Sequence, residues 1–179
     1  IKREKLESSE YKPMYVDLIE EGDKITCKES LKRPISSYPT QEHDKLDACI
    51  CILEYPVPDP PYGLYVAGID PYRFNTADYS GSLGAVYIYK RVYDVLADQF
   101  QDMIVAWYVA RPKDKSTWNN NARLLLKYFN AQGLCENDEP SFIEYMDTKN
   151  EGHFLMDTPE WVRELIPTSS TVKRSKGVS

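Results

Sequence analysis

A chain of 179 residues can bury one sizeable core, so a single main domain is the expectation. With 42% hydrophobic and 28% charged residues most of it should fold, and no apolar run reaches bilayer length, nor does a secretory signal open it. The formal charge of −6 argues against a surface that coats nucleic acid broadly, but not against a nuclease, whose cation-binding carboxylates add to that total.

The chain opens on Ile1 and the charged stretch IKREKLESSE, which reads as a piece of a longer protein. Met14 to Ile19 pairs with Lys24 to Cys27 across Glu20-Glu21-Gly22-Asp23, a small hairpin. An extended connector with Pro34 and Pro39 follows, then a strand over Ala48 to Tyr55 and the stiff crossing PVPDPPYG. Leu64 to Ile69 suits a strand buried on both faces; it stops at Asp70-Pro71, because proline has no amide hydrogen for a ladder. A polar turn through Asn75, Thr76, Asp78, Ser80 and Gly81 brings Asp78 back towards Asp70, and Ala85 to Tyr89 returns as the partner strand.

Met103 to Ala110 is the next strand. Ser116 or Thr117 then caps a helix to about Ala131, with Trp118, Ala122, Leu125, Leu126 and Phe129 on one face and Gly133 ending it. Leu134 to Asn137 reads as a short buried strand. Asp138 caps a helix with Pro140 in its first turn and Phe142, Ile143 and Met146 inward. Phe154 to Met156 makes a further strand, and Asp157 or Thr158 caps a short helix that Pro167 ends. Strands followed by helix–strand alternation predict an α/β fold, a mixed sheet with helices on both faces. The domain is expected over residues 48–168, with a linker and hairpin before it (1–47) and a mobile basic tail after it (169–179).

Cys27, Cys49, Cys51 and Cys135 make no zinc or redox spacing and point to a reducing, cytoplasmic setting; His43 and His153 also lack ligand spacing. Trp107, Trp118 and Trp161 sit in apolar patterns and read as core. The basic groups Lys90-Arg91, Arg111/Lys113/Lys115 and Lys173/Arg174/Lys176 are solvated faces or phosphate contacts. Asp70, Asp78 and Glu136 stand at strand ends or turns, where converging carboxylates can hold hard divalent cations for phosphodiester cleavage. Competing chemistries lack their residues. Position 72 is Tyr where an aspartyl phosphatase needs a second Asp, Pro71-Tyr72-Arg73-Phe74 lacks the glycine of an actin-like ATPase, and no phosphate-cradling G-x-x-x-x-G-K-[ST] run occurs. Ser80 and Cys135 have no histidine placed to activate them.

YVAGIDPYRFNTADYSGSLGAVYIYKR, followed by FNAQGLCENDEPSFIEYM, resembles the C-terminal nuclease domain of the large terminase subunit of tailed bacteriophages, closest to the crAss-like kind. The resemblance covers about residues 48 to 166 and implies a ribonuclease-H-like fold, Mg2+ or Mn2+ in a two-metal site, and cutting of concatemeric double-stranded viral DNA in the host cytoplasm. It assigns Asp70 and Glu136 as essential metal ligands and Asp78 as an auxiliary acid. Lys90, Arg91, Lys173, Arg174 and Lys176 are the candidate DNA contacts. It also implies an upstream ATPase motor domain, a small terminase subunit and a portal protein as partners, and no membrane. Such domains carry a third essential acid near the C-terminus, expected here beyond Ser179, since Asp157 has a sufficient role as a helix cap. A docking module with an incomplete site and a resolvase-type nuclease remain the alternatives.

Overall fold

Alternation of apolar and polar residues decides the first element. The computed structural model describes residues 12–41, 43–72, 82–92, 102–136, 140–160 and 176–178. In it β1 (Met14–Glu21) buries Val16 and Leu18 and turns through Gly22, at φ 64°, into the antiparallel β2 (Lys24–Glu29). This hairpin does not precede the domain as a linker would. It forms one edge of a seven-stranded sheet that continues with β3 (Ile50–Ile52), β4 (Tyr65–Asp70), β5 (Gly84–Lys90), β6 (Met103–Ala110) and β7 (Gln132–Cys135), in the spatial order β2-β1-β3-β6-β5-β4-β7. Every neighbouring pair is antiparallel except β4 and β7, which run parallel.

Two helices stand among the described residues, α1 (Lys115–Phe129) and α2 (Ser141–Thr148). The start of α1 is set by Asp114, ahead of the expected Ser116 or Thr117, because the Asp114 carboxylate accepts from the Ser116 amide at 3.1 Å. Its end comes at Asn130, which takes the left-handed conformation at φ 48°. Gly133, expected to stop the helix, lies instead inside β7, where a Cβ would come within 2.5 Å of the Ile69 side chain and 3.5 Å of Leu126. Glycine is there for close approach, not for termination.

The buried stripe of α1 lies on one face of the sheet. Phe129 meets Tyr65 of β4 edge-on at 5.2 Å, and Trp118 stacks with Tyr108 of β6 at 6.2 Å. Gly84 leaves room for the same indole, since a Cβ there would stand 2.4 Å from it. α2 packs on α1 through Phe142 and Trp118, whose rings are 5.6 Å apart. The expectation of helices on both faces is therefore corrected for the described residues: α1 covers one face, α2 packs on α1, and the proline-stiffened connector 34–38 lies along part of the other. β4 is likewise buried on one face only, with Gly68 and Asp70 exposed. Where a strand was expected at 154–156, a 3-10 turn over Gly152–Phe154 leads to a single bridge from Leu155 to Gly133.

Helix α1 also ties distant parts together by charge. Arg123 donates to both oxygens of Glu151, at 3.0 and 2.9 Å, and to Glu20 of β1, while Lys127 reaches Glu20 at 2.6 Å and Glu151 at 2.7 Å. Hydrogen bonds from Arg123 and then Lys127 hold the Glu20 carboxyl down at about 2, well below its ordinary 4.5. A carboxylate lowered on folding stabilises above its unfolded pKa, and that contribution is lost as pH falls through the folded value. The melting temperature should thus hold from neutral pH to about 5 and decline towards pH 2. Glu20→Gln should lower it at pH 7 and flatten the decline; an equally steep acid decline in that variant would contradict the assignment.

Candidate metal-binding site

Strand period and register bring the two principal acids together. In β4, Tyr65, Ala67 and Ile69 point to the helix face, which puts Val66, Gly68 and Asp70 on the opposite face. In β7, Gly133 faces Leu126 of α1 and Cys135 is buried, which sends Leu134 and Glu136 to that same opposite face. Ile69 and Cys135 are register partners, and the Glu136 amide donates to the Ile69 carbonyl at 2.8 Å. Asp70 and Glu136 therefore follow a matched pair on adjacent parallel strands, one strand spacing of about 4.8 Å apart.

Both side chains are exposed and line one cavity of about 480 Å³ with Gly68, Tyr87, Leu134 and Val178. The thiol directly beneath reports on both. Burial first, then the negative charges of Glu136 and Asp70, push Cys135 up to about 12. Oxygen donors of this kind suit Mg2+ or Mn2+ better than softer ions, so the pair fits part of a divalent-cation shell. Among the described residues no group of three His, Cys, Asp or Glu side chains forms a metal cluster.

The other expected residues divide clearly. Asp78, Lys173 and Arg174 lie outside the described residues. Lys90 does not reach solvent: it is 1% exposed and ion-paired with Glu54, so it is a core residue and no DNA contact. Arg91, the next residue, is exposed, with its guanidinium 3.4 Å from the Gly63 carbonyl. Lys176 is held down as well, donating to the Leu155 carbonyl at 2.9 Å and lying 3.6 Å from Asp157. Residues 176–178 are thereby docked at the sheet edge and are not part of a mobile tail; the Val178 amide donates to the Cys135 carbonyl at 2.8 Å. Asp157 pairs with Lys176 and is not among the residues lining the acid cavity.

Sequence reading passed over the aromatic surroundings. Tyr87, 42% exposed, stands beside Gly68 on the acid-bearing face, and half-buried Trp107, assigned to the core, stands next to it on β6. The visible sign was the alternation Val86-Tyr87-Ile88, apolar inward and aromatic outward. No protein-family model, curated protein or solved structure matches the chain. None of the described helices is long and apolar enough to cross a membrane.

The Lys90 correction is open to test. Glu54→Ala strands a buried ammonium and should cost about 3 kcal/mol in urea unfolding, while Lys90→Met should cost less. DNA affinity that fell in Lys90→Met without loss of stability would restore Lys90 as a contact.

Proposed function

We propose that this chain is a divalent-metal-dependent endodeoxyribonuclease, the nuclease part of a phage DNA-packaging terminase that cuts concatemeric double-stranded DNA. The observation that carries this reading is the shared cavity of Asp70 and Glu136, placed in register at the tips of two adjacent parallel strands. The strand arrangement supports the finer, ribonuclease-H-like reading. Three antiparallel strands, β4, β5 and β6, lead through a helix to β7, which lies parallel to β4 on its free side. Both proposed ligands, the two acids that the resemblance assigns, then stand at the ends of β4 and β7, the strand pair at one edge of the sheet.

Asp70 and Glu136 would hold Mg2+ or Mn2+, with Asp78 as an auxiliary acid by the resemblance alone. A bound divalent cation supplies an activated water and neutralises charge on the phosphate. The chain itself fixes the two carboxylates. The β4–β7 ladder sets their spacing, and the Cys135–Ile69 layer beneath keeps both backbones from shifting. The motor domain, small subunit and portal belong to this reading as partners through the resemblance.

Asp70→Asn and Glu136→Gln should each lower Mn2+-dependent nicking of supercoiled plasmid by at least about 100-fold, the equivalent of roughly 3 kcal/mol in the barrier. Both side chains are exposed, so melting temperatures should stay close to wild type. No cleavage under any metal, with portal or motor binding that survives both substitutions, would make the chain a docking module. Strong preference for branched over linear DNA would make it a resolvase.

A further inference from the structure

Three glycines stand within strands around the acid site: Gly68 of β4, Gly84 of β5 and Gly133 of β7. Packing explains two of them. A Cβ at Gly84 would come within 2.4 Å of Trp118, and one at Gly133 within 2.5 Å of Ile69, so the core excludes a side chain at either position. A Cβ at Gly68 meets no atom of the described residues within 4 Å, and its φ lies outside the left-handed region that favours glycine. Yet Gly68 is in mid-strand, paired with Tyr87 on one side and Leu134 on the other. Glycine there forgoes the strand preference and cross-strand packing that a valine would supply. Neither crowding nor backbone conformation calls for it.

Its place in the acid cavity does give it a use. Gly68 is exposed on the face that carries Asp70, two residues or about 6.6 Å back along β4, and lines the same cavity of about 480 Å³. Tyr87 and Leu134 flank it, and the bare backbone between them is the cavity floor. Away from the two acids the lining is apolar except for the Tyr87 hydroxyl, and among the described residues no basic side chain belongs to it. A ligand of this cavity therefore finds a counter-charge only at the acid end, on a cation held by Asp70 and Glu136. The part of it that lies over Gly68 has to be uncharged. A dicarboxylate, ionised at both ends, does not meet that division, and a lone phosphate leaves the floor unused. A phosphodiester meets it: its ionised oxygens suit a hard divalent cation, and the sugar beside them is neutral.

We propose that Gly68 is a positioning residue, which keeps the floor of the acid cavity clear for the sugar beside a cation-bound phosphodiester. The inference rests on the nuclease reading for the cation and the class of ligand, and adds to it a role for a residue that has no functional group. Gly68→Val suits a strand and enters open space, so its melting temperature should equal or exceed that of wild type. Mn2+ affinity, followed by the paramagnetic resonance signal of the free ion, should stay within about twofold, since both carboxylates remain. Binding of thymidylyl-thymidine to the Mn2+-loaded protein, followed by water-proton relaxation, should weaken by about 10-fold or more in Gly68→Val and by less in Gly68→Ala. Undiminished dinucleotide binding in Gly68→Val, a lowered melting temperature, or loss of Mn2+ together with the dinucleotide would overturn the proposal. So would a wild-type protein whose bound Mn2+ does not respond to the dinucleotide. If the valine variant loses the dinucleotide while wild type binds it but cuts no plasmid, the role of Gly68 stands and the nuclease reading falls. If wild type and Gly68→Val nick plasmid equally well, the role of Gly68 alone falls.

Discussion

The parallel pairing of β7 with β4 is the constraint on which the acid site depends. The other six strands form an antiparallel sheet without it, and Asp70 would then end an edge strand. A parallel neighbour has to be delivered by a crossover, and α1 is that crossover. It packs on the sheet through Trp118 and Phe129, and its last turn presents Leu126 to Gly133. Absence of a side chain at 133 lets β7 close against Ile69, and the ladder then carries Glu136 to the level of Asp70.

The same ladder divides chemistry from packing one residue at a time. Ile69 and Cys135 are 4% and 0% exposed, yet the residues that follow each are exposed carboxylates. Period-two geometry does this without any loop rearrangement, so the acids stand on backbone that is rigid because its other face is core. Aromatic side chains on the open face follow the same alternation. Trp107 and Tyr87 are register partners on the open face, while Ala106 and Ile88 pair on the closed one.

Local chemistry made much of this legible. Met103–Ala110 reads as a strand because an uninterrupted apolar run lies between Asp102, at φ 59°, and Arg111-Pro112, and the strand has those bounds. The hairpin of β4 and β5 and the acids at the ends of β4 and β7 were readable in the same way, from Asp70-Pro71 and from Glu136 after a short apolar run. What failed needed a partner far along the chain. Lys90 next to Arg91 looks like a basic surface pair until Glu54, 36 residues away, is seen beside it. Gly133 looks like a helix stop until Ile69 and Leu126 occupy the space its Cβ would need. The first hairpin looks separable until Val16 and Leu18 join the core and β1 pairs with β3. Local competition explains the shift of the α1 cap: Asp114, Ser116 and Thr117 are all capping types, and the carboxylate that reaches the free amide wins.

The four-charge knot of Glu20, Arg123, Lys127 and Glu151 has a kinetic consequence. Its members come from the first strand, the crossover helix and the turn after α2, with Glu20 and Arg123 103 positions apart. The hairpin can pair its own two strands and then β3, but Glu20 must wait for the crossover helix before its charged partners exist. High contact order of this kind slows the search for the native topology and leaves sheet edges uncovered meanwhile. Closing the knot is therefore a late step, one that follows the pairing of β1 with β3.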